Sequence, residues 1–289
     1  NLIFIVFTKS GNYKKEVIFM SEHKNILKKI RCVKSEYLDE SLLKEYYEYI
    51  KNNGIEEVED VSEADLIISF GGDGTTLVAA KEALKKNVPV MAVNMGTLGY
   101  LAEISPENLV EMLKRYQNGQ YVVDERAFLE VKYNKKTYYA LNELVLLKGG
   151  MMSHLIQVEV YENNTFVNEY RADGVIVATP TGSTAYSLSA GGSIVYPGLK
   201  AVTITPLSPQ GLTARPIIID GGNTLSFKVF SRDNDAHLNL DGSICIKVKQ
   251  DDTINARLSN KKVKIIKSGK NDYYSILRQK LKWGDAIIK

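Results

Sequence analysis

An apolar run, Ala64-Asp65-Leu66-Ile67-Ile68-Ser69-Phe70, leads directly into Gly71-Gly72-Asp73-Gly74-Thr75-Thr76, and a helix-like stretch from Leu77 to Lys86 follows. Strand, glycine-rich turn and helix in that order make half of a parallel βαβ unit. In open α/β sheets ligands bind beyond the carboxyl ends of the strands, where such a turn lies. The surrounding sequence keeps the same rhythm. Residues 2–7 read as a buried strand, too short to span a bilayer and without the flanks of a secretory leader. Ser41 to Ile50 has helical spacing with Gly54 placed to cap it, and Val88 to Val93 is a third strand. Ser105-Pro106 opens another helix that Gly119 closes.

After about residue 120 the texture changes to short alternating runs: Phe128–Tyr133, Thr137–Leu147, Leu155–Tyr161, Val175–Ala178, Ala201–Thr205, Thr224–Phe230, His237–Leu240 and Ile244–Val248. Turns such as Glu162-Asn163-Asn164, Asp220-Gly221-Gly222 and Asp241-Gly242 separate them. This is antiparallel texture. A helix-like Tyr273–Lys282 closes the chain. The expected fold is therefore an α/β domain over 1–120, with a parallel sheet and flanking helices. An all-β domain follows over 121–268, and a tail over 269–289 packs back on the first domain. The active site is expected between the two domains.

Bulk properties narrow the chemistry. The 289 residues suit roughly two domains, and a chain 44% hydrophobic and 25% charged can build ordinary cores. A net charge of +3 gives no case for nucleic acid or a membrane surface. Two cysteines far apart, Cys32 and Cys245, form neither a disulfide framework nor a metal spacing, so a reducing cytoplasm is expected. His23, His154 and His237 are isolated, and no protein-held metal site is expected. Lys261-Lys262 reads as solvated surface, and Tyr46, Tyr47 and Tyr49 as helix core and surface.

Two segments carry chemistry. In Gly71-Gly72-Asp73-Gly74-Thr75 the glycines let backbone N–H groups approach a phosphate, and the helix behind adds its positive end. An Asp among them is a candidate proton acceptor. A plain tight turn is the alternative. The spacing matches neither GxxxxGK[ST] nor GxGxxG, because Leu77 stands where a third glycine would be. The second segment runs from Asp173-Gly174 through Thr179-Pro180-Thr181-Gly182-Ser183-Thr184-Ala185-Tyr186 to Gly191-Gly192. A buried strand there opens into hydroxyls, glycines and one aromatic ring, which suits a purine and a ribose. A Ser/Thr/Gly surface loop is its bland counterpart.

These segments resemble the NAD kinases. Gly71-Gly72-Asp73-Gly74-Thr75 is similar to the GGDGT signature that NAD kinases share with lipid kinases and phosphofructokinases, and Asn142-Glu143 to the NE motif. Asp173 to Gly192 resembles the family's long glycine-rich motif, and Asn94-Met95-Gly96-Thr97-Leu98-Gly99-Tyr100-Leu101 its N-x-G-x-L-G-F/Y-L turn. Leu212 to Pro216 and Leu277 to Gly284 match as well, so the resemblance runs in order from about residue 65 to 284.

The resemblance implies an ATP-dependent phosphorylation of the 2′-hydroxyl of the adenosine ribose of NAD, with Mg2+ or Mn2+ arriving on ATP. It implies roles residue by residue. Asp73 is the base, and Gly72 and Gly74 line the phosphate path. Asn142 meets adenine or ribose, and Glu143 the ribose hydroxyls. Thr184, Ala185, Tyr186 and Ser187 surround the adenosine with Ser189 close by, and Tyr100 walls the adenine. Arg171 and Asp173 reach the nicotinamide end from a neighbouring subunit of a homodimer or homotetramer. His154, Ser208 and Ser243 complete the implied nucleotide contacts, Ser243 standing where many bacterial members carry Gln. Two rivals remain: a diacylglycerol- or sphingosine-type lipid kinase sharing GGDGT, and a non-catalytic NAD(P)-binding sensor. Vesicle binding without NAD binding marks the first. NAD affinity without NADP formation marks the second.

Overall fold

The computed structural model describes residues 2–5, 17–20, 25–250 and 252–283. They form two compact units, residues 1–125 with 263–289, and residues 126–262. Val6 and Phe7, expected in the first strand, and Gly284, the end of the tail motif, lie outside the described residues.

In chain order the elements of the first unit are β1 (Leu2–Ile5), β2 (Val17–Met20), β3 (Lys29–Lys34), α1 (Lys44–Asn52), β4 (Glu56–Glu57), β5 (Leu66–Gly71), α2 (Asp73–Ala83), β6 (Val90–Asn94), α3 (Leu109–Gln117) and the start of β7 (Gln120–Tyr133). The second unit holds β8 (Lys136–Ala140), β9 (Glu143–Leu147), β10 (Ile156–Glu162), β11 (Thr165–Ala172), β12 (Gly174–Ala178), α4 (Tyr186–Ser189), β13 (Ala201–Leu207), β14 (Ile217–Asp220), β15 (Leu225–Phe230), β16 (His237–Leu240) and β17 (Ile244–Lys247). The long β18 (Thr253–Lys267) begins in the second unit and ends in the first, where α5 (Tyr273–Leu281) follows it.

The first unit is built on a parallel sheet in the order β18-β6-β5-β3-β4. All six residues of β5 are buried, as a strand covered on both faces requires. On one face Ile30, Leu66, Ile68, Phe70, Met91, Val93 and Ile266 meet α1 and α3 through Tyr46, Ile50, Met112 and Leu113. On the other, α2 presents small residues, Ala79, Ala80 and Ala83, and Thr76 Oγ1 lies 3.2 Å from Ser69 Oγ. Gly54 caps α1 as the sequence suggests. Its φ is +63°, its N–H reaches Lys51 O, and the next N–H, of Ile55, reaches Ile50 O at 2.9 Å. That is a Schellman closure.

The second unit carries an antiparallel six-stranded sheet in the order β14-β13-β12-β9-β16-β17. The antiparallel group β11-β10-β15-β18 and the β7–β8 hairpin supply the rest. Alternation sorts the strands into faces: Val175 and Val177 enter the main core with Val158, Phe227 and Leu238, while Ile176 and Ala178 pack with Val145 and Leu207. Asn163 and Asn164 (φ +47° and +68°) turn β10 into β11, and Asp241 and Gly242 (φ +47° and +65°) turn β16 into β17. Such turns need positive φ at both positions.

Two expected boundaries are corrected. The helix expected to start at Leu77 starts at Asp73, so the glycine segment is mostly its first turn. The run Thr137–Leu147 is two strands broken at Leu141-Asn142.

Candidate functional site

Asp73 is the first residue of α2, and Gly72 is the N-cap. Gly71 ends β5 in register with Asn94, and Met95 N–H donates to Gly71 O at 3.2 Å. The three glycines differ in what they tolerate. A Cβ on Gly71 would fall 2.2 Å from Thr75 Oγ1, so packing alone requires glycine there. A Cβ on Gly72 or Gly74 would meet nothing within 4 Å. Among the described residues no atom crowds those two glycines, and the space over the helix start suits an anion.

The Asp73 carboxylate faces a remote turn. Oδ2 accepts the Tyr100 N–H at 2.8 Å, and Oδ1 accepts the N–H groups of Leu101 at 3.0 Å and Ala102 at 3.1 Å. Gly99 closes the approach, because a Cβ there would lie 2.1 Å from Asp73 Oδ1. The turn is preceded by an Asx-type closure in which Asn94 Oδ1 accepts Gly96 N–H at 3.0 Å. On its far side Lys267 Nζ donates to Leu101 O at 2.8 Å and Tyr100 O at 3.4 Å. Tyr100 is half-buried with Lys280 Nζ 5.7 Å from its ring centre. Burial, and after it the charge of Asp73, raises its phenol above the usual range.

The second unit repeats this device. Asp241, in the β16–β17 turn, accepts from Leu141 N–H and Asn142 N–H at 2.8 Å each and Glu143 N–H at 3.1 Å. It thereby holds the break between β8 and β9 where Asn142 and Glu143 stand. The other side of that break is fastened to the glycine-rich segment. Thr179 N–H donates to Asn142 O at 2.9 Å, and Thr179 Oγ1 to Leu141 O at 2.6 Å. Gly182 packs so closely that a Cβ would sit 2.1 Å from Asn142 O. Glu143 is 7% exposed.

The remaining expected contacts fall into three groups. Thr184 and Ala185 are half-buried, while Tyr186 and Ser189 are exposed at the end of the turn. Ser187 is placed differently from expectation. It is fully buried, with its hydroxyl 3.0 Å from Thr205 Oγ1 and Gly192 packed against it, so its part is to hold the turn from inside. Asp173 pairs with Lys148 Nζ at 2.7 Å. Arg171 and Ser208 are exposed, and Ser208 adopts φ +44°. His154 is exposed and tied to Asp233, through its N–H at 2.7 Å and its ring Nδ1 at 3.1 Å. Exposed Ser243 has its N–H on Leu240 O at 3.0 Å.

Sequence reasoning gave no individual role to Asp241, Gly99 or Thr179, though their motifs and turn were legible, and it missed the 5%-exposed Arg126, which reaches Thr181 Oγ1 at 3.4 Å. An Asp-Gly dipeptide signals only a turn, and nothing local in the sequence marks its carboxylate as a clamp for residues about a hundred positions away.

The chain is similar to known proteins over most of its length. Residues 12–121 match the family description "ATP-NAD kinase N-terminal domain" and residues 141–268 match "ATP-NAD kinase C-terminal domain". An NAD kinase of Fusobacterium nucleatum subsp. nucleatum is 40% identical over 249 residues, covering 85% of this chain and 93% of the relative. One from Caldicellulosiruptor saccharolyticus is 35% identical over 273 residues, covering 94% and 97%. An NAD kinase from Archaeoglobus fulgidus, solved in complex with ATP, superposes with a TM-score of 0.72 at 25% identity, covering 86% of this chain and 98% of its own. The fold is also that of yeast NADH kinase complexed with NADH, with a TM-score of 0.83 at 24% identity over 92% of this chain and 91% of that one.

Proposed function

The chain belongs to the NAD kinase family, and on that premise we propose that Asp73 takes the proton from the 2′-hydroxyl of the adenosine ribose of NAD as the terminal phosphoryl group of ATP is transferred there. The activity is the family's: ATP and NAD give ADP and NADP. The observation that carries the assignment is the placement of Asp73. It stands at the start of α2, immobilised by three amides, between two glycines whose Cβ positions are open. Phosphoryl transfer depends on positioning and on neutralising charge, and a fixed base beside an anion-binding helix end supplies both.

Gly72 and Gly74 admit the phosphates, and Glu143 and Asn142 hold the ribose hydroxyls and the adenine. Thr184, Ala185, Tyr186 and Ser189 surround the adenosine, and Tyr100, His154, Ser208 and Ser243 add nucleotide contacts. Arg171 and Asp173 serve the nicotinamide end, across a contact with a second copy of the chain. Exposed Leu212 and the exposed edge strand β14, with Ile217 and Ile218 partly uncovered, support a homodimer or homotetramer. Among the described residues no three His, Cys, Asp or Glu side chains gather to hold a metal, and the cation of the proposed reaction is one that arrives with ATP. When bound, that cation neutralises phosphate charge. Two free cysteines support a cytoplasmic setting, and no helix among the described residues is long and apolar enough to cross a membrane.

The direct test incubates purified protein with NAD, ATP and Mg2+ and reads NADP with an NADP-specific dehydrogenase. NADP that requires both substrates is expected. NAD affinity without NADP, or phosphorylation of vesicle lipid in its place, overturns the proposal.

A further inference from the structure

We propose that Lys267 is a positioning residue for the phosphoryl transfer, acting on Asp73 through the two peptide groups that join Tyr100, Leu101 and Ala102. The proposal rests on the reading of Asp73 as the base. Each of these peptide groups is held at both ends. In the first, the Tyr100 carbonyl accepts from Lys267 Nζ at 3.4 Å and the Leu101 N–H donates to Asp73 Oδ1 at 3.0 Å. In the second, the Leu101 carbonyl accepts from Lys267 Nζ at 2.8 Å and the Ala102 N–H donates to Asp73 Oδ1 at 3.1 Å. The C=O and N–H of a trans peptide point in opposite directions. Each peptide dipole therefore lies between a cation and a carboxylate, and within each group the bond at one end strengthens the bond at the other.

The cation is costly to place. The Lys267 side chain is 9% exposed, and an ammonium removed from water needs close partners. It has the two carbonyls and the Glu103 carboxylate at 3.7 Å, itself 1% exposed. Glu103 is in turn fastened to the start of the tail, accepting from Ser268 N–H at 2.8 Å and Ser268 Oγ at 3.0 Å. A bare packing role would be served by an apolar side chain of similar length. A lysine whose donors meet the carbonyls behind the Asp73 amides instead fixes which way those amides point. With Oδ1 accepting two bonds and Oδ2 one, the lone pair left for a proton is on Oδ2. Lys267 fixes that choice from the last residue of β18, about two hundred positions away in sequence.

The test compares the parent, Lys267→Met, Lys267→Gln and Asp73→Asn for kcat, KM for NAD, NAD affinity by calorimetry, and melting temperature. A core variant of the same unit, Leu113→Ala, controls for lost stability. Lys267→Met is expected to lower kcat at least about tenfold while NAD affinity stays within about threefold, because misplacing a base harms the transition state more than ground-state binding. Lys267→Gln, which keeps an uncharged NH2 donor group, falls between Met and the parent, and decides the matter on the same scale if the Met variant does not fold. Adding the Lys267 change to Asp73→Asn is expected to lower residual turnover no further. A folded Lys267 variant with parental kcat overturns the proposal, as does an equal kcat loss in Leu113→Ala. If Asp73→Asn itself turns over normally, the base assignment is what fails. If Asp73→Asn is inactive and Lys267 variants are normal, only the positioning role fails.

Discussion

A carboxylate offers about four lone-pair positions, and three on Asp73 are taken by the amides of Tyr100, Leu101 and Ala102. The side chain is thus both clamp and proposed base. Asp73→Asn keeps an oxygen for Leu101 and Ala102 but turns an NH2 toward the Tyr100 N–H. Its turnover is expected to fall by at least about a hundredfold, with NAD affinity nearly kept and a lowered melting temperature. Near-parental kcat in steady-state kinetics would remove Asp73 from the chemistry. Gly99 tests the same geometry from outside. Its missing Cβ would lie 2.1 Å from Asp73 Oδ1, so Gly99→Ala must shift the turn or the carboxylate. A kcat loss of roughly tenfold or more is expected in the same kinetics, and unchanged kcat would mean that the carboxylate's placement is not critical.

At the scale of elements, the NE break between β8 and β9 is a loop that would otherwise leave three amides without acceptors. Asp241 supplies all three, and Thr179 and Gly182 secure the opposite side. Asp241→Ala removes the acceptor and leaves buried donors unsatisfied, a loss of about 1–3 kcal/mol. Urea unfolding should report that loss, and KM for NAD should rise because Asn142 and Glu143 stand on the released segment. A variant of full stability with parental KM would show that Asp241 merely decorates the turn. Helix α2 illustrates how an element start is decided. Gly-Asp-Gly reads as turn by composition, yet Asp at the first helical position is favoured by the positive end of the helix. Here it is also tied to residues 27–29 positions ahead. β11, β14 and β18 escaped recognition for a related reason. β11 and β14 are largely exposed, and β18 alternates polar and basic residues with its buried ones, so none shows a clean apolar run.

For the whole molecule, the proposed reaction needs the phosphate charge of ATP neutralised, which a divalent cation arriving with ATP would do. A chelator is expected to stop NADP formation while leaving the melting temperature of the nucleotide-free protein unchanged. A chelator-induced fall in melting temperature would instead reveal a structural ion.

Sequence alone determined the change from an α/β to a β-rich texture along the chain and the identity of the chemistry. Hydrophobic period is a local property, and the motifs at 71–75, 142–143 and 173–192 are contiguous words. Only the tertiary structure decided how those words are held. Two carboxylates, Asp73 and Asp241, each gather three consecutive amides, and Lys267 backs one of the two turns. Backbone N–H groups belong to every residue but proline, so composition cannot reveal which of them converge on a distant side chain. That is settled when the strands pair and the turns between them close.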